Sequence, residues 1–311
     1  MRASGIIPNK VWYYKNKKEV GVKAPKFHFI RANSRQQTLE LLEELGDEAR
    51  ILAGGQSLMP TLNMRLSQPG TLIDINKISD LCGITLEEGV VRIGAMTRHV
   101  EIANSPVVAE NLPLIAEAMQ HVAHHAVRNR GTIGGSIALA DPAAEMPACA
   151  LALWATLAVE SINGRREIAA KDYFKGLYET ARQPNELLVE ILIPKEPPDD
   201  VSVFLELAQR HGDFAMAGLA CVGRVSNKVF EQLRLVYFGS EDRPTIANQA
   251  IDSVVGKVWS TETSEAAADA LTNDLDPMTN LQGSAAMKLH LQKVLTKRAL
   301  ETAIERAGEF K

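Results

Sequence analysis

Two double-glycine loops, each following a short apolar run, constrain this 311-residue chain more than any other feature. The first reads Leu52-Ala53-Gly54-Gly55-Gln56-Ser57-Leu58-Met59-Pro60. The second reads Arg128-Asn129-Arg130-Gly131-Thr132-Ile133-Gly134-Gly135-Ser136, with Ala140-Asp141-Pro142-Ala143-Ala144-Glu145 close behind. Paired glycines let the backbone take a positive φ and approach a ligand closely, because no Cβ intervenes. The amides around such turns can converge on an anion. One Gly-Gly is ordinary turn chemistry. Two of them, flanked by Ser57 and by Thr132 and Ser136, point to one pyrophosphate gripped from two sides and hence to a dinucleotide cofactor. A branched side chain at Gly55 or Gly135 would then occupy the space of the phosphate oxygens. The chain has no G-x-x-x-x-G-K-[ST] and no G-x-G-x-x-G joining a strand to a helix, so loops between subdomains must hold the cofactor.

Local signals organise the rest. Strands are expected at 25–30, 51–53, 71–75 and 90–94, the last after a Glu-Glu-Gly turn. Ser34 starts a helix whose apolar face is Leu39, Leu41, Leu42 and Leu45, and Gly46 stops it. A helix is expected from Pro113 to Val122, a helix end and buried strand at 146–157, and further elements at 167–176 and 187–193. The stretch 194–200, Pro-Lys-Glu-Pro-Pro-Asp-Asp, reads as a linker, because its prolines and charges do not suit the inside of an element. Three strands of a second sheet follow at 203–208, 215–225 and 233–238, and one amphipathic helix at 285–307 with Lys293, Lys297 and Arg298. There is no regular βαβ period, so the class is α+β. The expected domains are an extension over 1–23, a first domain over 24–196 and a second over 201–308.

Composition excludes several functions. A net charge of −4 gives nucleic acid and anionic membranes no attraction. No apolar run reaches the ~18–20 residues of a membrane span. No apolar h-region opens the chain. Cys82, Cys149 and Cys221 are scattered and odd in number, which fits a reducing, cytoplasmic setting, and they cannot supply a four-thiolate iron–sulfur site.

His121, His124 and His125 would share one face if helical, but no acidic residue joins them, so packing or a cofactor-edge role is expected over zinc. Asp141 and Glu145, four apart, suit either general acid/base work or, as we favour, acceptance of cofactor hydrogens and capping of a helix begun at Pro142. Phe214, in Gly212-Asp213-Phe214-Ala215, is either core or a lid over a flat heterocycle.

The order A-G-G-x-S-L-x-P-x-x-x-x-R-L-x-x-P at 53–69, L-I-D-I at 72–75, I-G-A-x-T at 93–97 and R-N-x-G-T-I-G-G-S-x-A-x-A-D-P-A-A-E-x-P-A at 128–148 is distinctive. It resembles the FAD-binding medium subunits of molybdenum hydroxylases, the group of carbon monoxide, xanthine and N-heterocycle dehydrogenases. The tail at 284–300 resembles the family's C-terminal helix, and the likeness runs over roughly residues 24–308. The resemblance implies a two-subdomain FAD-binding domain followed by a small domain of sheet and helices. It implies FAD held by Ala53, Gly54, Gly55, Gln56, Ser57, Leu58, Thr132, Ile133, Gly134, Gly135 and Ser136 at the pyrophosphate. It places Glu145, with Asp141 nearby, toward the ribityl or ring region, and Phe214 beside the isoalloxazine, where some members carry Tyr. It further implies an electron-transfer role in a heterotrimer with a small subunit carrying two [2Fe–2S] clusters and a large subunit carrying the molybdenum cofactor. This chain lacks the four-cysteine insertion of the benzoyl-CoA-type branch. The rival functions are a free-standing FAD-dependent oxidase with its own substrate and a binding module without flavin. The Val11–Tyr14 cluster and the basic tail helix are candidate docking surfaces.

Overall fold

The computed structural model describes residues 24–308, so the N-terminal extension and its Val11–Tyr14 cluster lie outside the described residues. Chain order begins with β1 (His28–Arg31), α1 (Arg35–Leu45), β2 (Ala49–Leu52), α2 (Leu58–Asn63) and β3 (Thr71–Asp74). Ser34 caps α1 by accepting from the Gln37 amide, and Gly46 ends it at φ +50°. The three strands form a parallel sheet in the order β1-β3-β2. Two short crossovers therefore exist here, although no longer βαβ series follows. Leu39, Leu42, Ile73 and Ile75 fill the small core beneath this sheet.

The chain next makes the hairpin β4 (Ile84–Glu87) and β5 (Val90–Gly94), turning at Glu88 and Gly89, both with positive φ. Short helices follow: α3 (His99–Ala103), α4 (Pro106–Asn111), α5 (Pro113–Ala118), α6 (His125–Arg128), α7 (Ile133–Leu139) and α8 (Glu145–Ala152). Then come β6 (Thr156–Ser161), β7 (Gly164–Ala169), α9 (Ala170–Tyr173), the small hairpin β8 (Phe174–Gly176) and β9 (Glu179–Thr180), and β10 (Leu187–Pro194). An antiparallel sheet in the order β4-β5-β10-β6-β7 results. Pro194 closes β10 opposite Val90, and Asp200 opens the next strand, so the connecting segment is shorter than the 194–200 expected. A terminal strand residue has no need of its amide in the ladder, which is why Pro194 is accommodated.

The second unit is an antiparallel sheet of β11 (Asp200–Leu207), β12 (Ala217–Ser226), β13 (Val229–Phe238) and β14 (Thr245–Ile246), backed by α10 (Asn248–Val254), α11 (Thr261–Asp274) and α12 (Ala285–Arg306). Its strands alternate. Val203, Leu219, Cys221, Leu235 and Tyr237 pack on the helices, whereas Phe204, Ala220, Val222, Val236 and Phe238 join the core of the first unit. Both sides of this sheet are therefore buried. Polar residues also run along α12 at intervals of four. Lys288 donates to Gly239 O, Gln292 donates to Phe238 O and Ser240 Oγ, and Thr296 Oγ1 pairs with Tyr237 OH at 2.7 Å. Lys293 pairs with Asp269, and Lys297 and Arg298 face solvent.

Two local expectations are corrected. The helix expected over Pro113–Val122 ends at Ala118, and His124 stands just before the separate α6, so His121, His124 and His125 share no helical face. Among the described residues no group of three or more His, Cys, Asp and Glu side chains is arranged to hold a metal ion. Pro142 does not begin a helix. Asp141 Oδ1 accepts from the Ala143 amide in a local turn, and α8 starts at Glu145. The turn's own hydrogen bond satisfies the backbone that a helix would have used.

Candidate functional site

A cleft of about 810 Å³ lies where the carboxyl ends of the three parallel strands meet the second glycine loop. Ligands of open parallel sheets bind outside these strand ends. Arg31, Leu52 and Asp74, each the last residue of its strand, all line it. So do Ala53, Gly54, Gly55 and Gln56 from the first glycine loop and Arg98 and Arg130 from the other side.

The two loops touch. A Cβ added to Gly54 would collide with the Arg130 carbonyl oxygen and stand 2.8 Å from Gly131 Cα, both of them backbone. Gly135 faces the same way, with its hypothetical Cβ 4.0 Å from Ala53 Cβ. The other glycines have different reasons. Gly134 lets α7 pack on Ala95, and Gly55 is required by its φ of +72°. A Cβ at Gly55 would meet the Leu52 and Met59 side chains and not the facing loop, so conformation is the reason for glycine there.

Free donors concentrate in the first loop. Among the described residues the amides of Gly54, Gly55, Gln56, Ser57 and Leu58 donate to no protein acceptor. In the second loop Gly134 donates to Ala95 O, Gly135 to Thr132 Oγ1 and Ser136 to Thr132 O, while the Thr132 amide has no protein acceptor. Ile133 donates to Thr97 O. The second loop is thus braced internally, and the first is left open.

The rim is cationic. Arg31, Lys77, Arg98 and Arg130 line the cleft, with Asp74 as its carboxylate. Burial works against the Asp74 charge, but hydrogen bonds from the Asn76 side chain and amide and from Arg31 hold its carboxyl below the usual range. Asn76 in turn accepts from Arg98, which also donates to Arg130 O. Burial and then the nearby Arg130 charge lower the Arg98 guanidinium. Two guanidiniums held near one another in a cleft create a field that an anion relieves. His99 lies beneath: its amide donates to Gly131 O, and its ring fills the space beside Gly131. Burial first, then Arg128 and Arg98, hold its imidazole down at about 4, so it stays neutral. Sequence reading missed this rim. Arg98 directly follows the I-G-A-x-T motif, and Arg130 occupies the variable position of R-N-x-G.

The remaining expected residues lie at the other end of α7. Glu145 is buried at the start of α8; burial pushes its carboxyl up to about 7, its own amide pulls it back, and Asp141 adds to the rise. Glu206 on β11 faces it from the second unit, and burial followed by the Glu145 charge pushes it up to about 8. Phe214 is 65% exposed in the loop before β12. It does not line the 810 Å³ cleft, and neither do Ser57, Leu58, Asp141, Glu145 or residues 132–136.

A parallel-strand crevice with two abutting glycine loops and a cationic rim fits a dinucleotide's diphosphate: the close loop approach leaves no room for a Cβ, and the free amides and guanidiniums supply donors. The family model described as "FAD binding domain in molybdopterin dehydrogenase" matches residues 25–196, and that described as "CO dehydrogenase flavoprotein C-terminal domain" matches residues 202–303. The chain is 36% identical to the 6-hydroxypseudooxynicotine dehydrogenase complex subunit alpha of Paenarthrobacter nicotinovorans, over 93% of this chain and 98% of that protein. It is 38% identical to the carbon monoxide dehydrogenase medium chain of Hydrogenophaga pseudoflava, over 91% and 99%. Among solved structures, carbon monoxide dehydrogenase from Hydrogenophaga pseudoflava superposes with a TM-score of 0.89 at 38% identity, covering 91% of this chain and 99% of that one. Quinoline 2-oxidoreductase from Pseudomonas putida 86 superposes at 0.87 and 37%, covering 92% and 99%. The chain belongs to the family of FAD-binding medium subunits of molybdenum hydroxylases, and it is an oxidoreductase subunit. Among the described residues no helix is long and apolar enough to cross a membrane.

Proposed function

We propose that this chain is the electron-transfer flavoprotein of a cytoplasmic heterotrimeric molybdenum hydroxylase. It takes electrons from two [2Fe–2S] clusters on a small partner subunit and delivers them to an external acceptor, while a large subunit with the molybdenum cofactor oxidises the organic substrate. The observation that supports the reading is the contact of Gly54 with Arg130 and Gly131, which brings the two glycine loops together at the cleft. FAD supplies the one- and two-electron chemistry when bound. The chain's own residues bind and orient. The amides of Gly54, Gly55, Gln56, Ser57 and Leu58 donate to the diphosphate, together with the Thr132 amide. Arg98 and Arg130 neutralise it. Ile133, Gly134, Gly135 and Ser136 fix the facing loop.

The seven residues of α7 span ~10 Å at 1.5 Å each, a distance a ribityl chain covers. On this reading Asp141, Glu145 and Phe214 stand at the ring end, where burial holds the Glu145 and Glu206 carboxyls above the usual carboxylate range.

Purification of the chain alone and with its co-expressed partners tests the proposal. Alone it should carry one FAD and accept electrons from artificial donors without oxidising an organic substrate. Substrate-dependent bleaching of the flavin should require the partners. Turnover of a small organic molecule by the lone chain would establish the free-standing oxidase instead.

A further inference from the structure

We propose that Tyr178 is a second aromatic wall of the flavin-ring site, standing with Phe214 over one flat heterocycle and anchored by Asp141. This rests on the FAD reading above. Tyr178 is the second residue of the two-residue link between β8 and β9, whose ends pair as Gly176 and Glu179. Its φ is +58°, at a position where glycine or asparagine is favoured and an L-residue with a large side chain carries a conformational penalty. Burial does not offset that penalty, because Tyr178 is 54% exposed. A strained, exposed aromatic gains its compensation from something that covers it.

The surroundings identify what that is. The Tyr178 hydroxyl donates to Asp141 Oδ2 at 3.4 Å, while Asp141 Oδ1 is taken by the Ala143 amide. The tip is therefore aimed at the ring end of α7. Its mount is shared with Phe214. Arg243 donates to the Lys175 carbonyl and ties the hairpin to the loop that follows β13. That loop begins at Gly239, whose amide donates to Pro142 O at 2.8 Å. A Cβ on Gly239 would stand 3.0 Å from the carbonyl oxygen of Ala215, the neighbour of Phe214. From behind, buried Lys288 and Gln292 hold the carbonyls of Gly239 and Phe238. One hydrogen-bonded corner thus carries two exposed aromatics: Tyr178, bonded to Asp141, and Phe214, whose neighbour Ala215 abuts Gly239. Two such faces on a fixed support suit the offset stacking of a planar, polarisable ring. On the FAD reading above, a ribityl chain running along α7 from the glycine loops would bring the isoalloxazine to this corner.

The test uses the full chain loaded with FAD and four forms: unsubstituted, Tyr178→Phe, Tyr178→Ala and Tyr178→Gly. A tyrosine against the isoalloxazine quenches its fluorescence. Tyr178→Ala should brighten the bound flavin several-fold, shift its visible band and raise the FAD Kd about tenfold, in line with one lost aromatic contact. Tyr178→Phe should keep the Kd within about threefold, since the ring remains. Tyr178→Gly should weaken FAD as alanine does while raising the melting temperature of the flavin-free chain, because glycine relieves the positive φ. Unchanged fluorescence, spectrum and Kd in Tyr178→Ala, in a chain that holds FAD fully, would overturn the inference and leave the functional reading standing. Loss of partner-subunit binding with an unperturbed flavin would make the hairpin tip a docking element, and would overturn it too. An unsubstituted chain that takes no FAD would overturn the functional reading and this inference with it.

Discussion

Substitution of Gly54 by alanine isolates the contact between the two glycine loops. Gly54 does not have a positive φ, so the new methyl brings no left-handed strain, and its effect is steric. It would collide with the Arg130 carbonyl oxygen and lie 2.8 Å from Gly131 Cα, both backbone atoms that cannot rotate away. Ordinary van der Waals separation needs the loops to part by ~1 Å, and overpacking of this kind costs ~1–3 kcal/mol. FAD has to bridge the widened gap or force it closed. At about 1.4 kcal/mol per factor of ten, affinity should fall roughly ten- to a hundredfold. Titration of the flavin-free chain with FAD, followed by fluorescence, gives the Kd. Gly256→Ala is the control: Gly256 has φ +77° and nothing near its Cβ position, so it strains the backbone remote from the cleft and should leave the Kd alone. Gly135→Ala should be milder, since its Cβ meets the Thr132 hydroxyl, a side-chain atom, at 2.8 Å. An unchanged FAD Kd in Gly54→Ala would refute the two-loop grip.

Arg98→Met should weaken FAD by roughly tenfold or more and flatten the dependence of the Kd on ionic strength, as loss of a charge-assisted contact to a phosphate requires; titrations at low and high salt check both. Glu145 is held at about 7 against an ordinary 4.5, so its contribution to stability is full below pH 4.5 and lost as pH rises through 7. That loss is ~3 kcal/mol for a buried carboxyl, and Glu206, held at about 8, extends the window upward. The melting temperature should therefore fall between about pH 4.5 and 8, and that of Glu206→Gln should fall less over the same range. Lys288→Ala leaves the buried Gly239 carbonyl without its charged donor and should cost ~1.5–3 kcal/mol in urea unfolding, with a loss of flavin that tracks the loosened Gly239 corner.

Features governed by near neighbours were legible in the sequence. Ser34 and Gly46 bound α1 because a cap is a matter of three or four residues. The glycine loops and the tail helix were legible for the same reason. The histidine face and the Pro142 helix failed where a local turn competed with the helix: Ala118 ends α5, and the Asp141–Ala143 hydrogen bond takes over the backbone that Pro142 was expected to start. The cationic rim was invisible because it is assembled from distant stretches. Arg31, Lys77, Arg98 and Arg130 are ordinary surface-type residues in a linear reading, and only the crossing of β1 and β3 with the second glycine loop gathers them. Lys288, Gln292 and Thr296 recur every four residues on α12, a spacing that sequence analysis assigns to a solvated stripe. Here Lys288 and Gln292 reach backbone carbonyls at the end of β13, and Thr296 reaches the Tyr237 hydroxyl. Glu206 lies in the strand expected at 203–208, and nothing local to it signals that it comes to face Glu145 from the other unit.

The linker between the two units is short, yet it is not a hinge. Phe204, Phe238, Val222 and Val236 from the second sheet share one core with Ile137, Cys149 and Leu157 of the first unit. Glu117 receives Arg306 from α12 and the Phe204 amide, and Glu196 receives the Leu114 amide. Relative motion of the units would expose aromatic surface and strand these partly buried carboxylates, which couples the two folds into one cooperative structure. A flavin ring at this seam would keep fixed neighbours from both units through its redox cycle. Electron transfer on the proposed reading would therefore require no closure of one unit over the other. The choice of acceptor would then be set by side chains at the seam, with Tyr178 and Phe214 exposed among them.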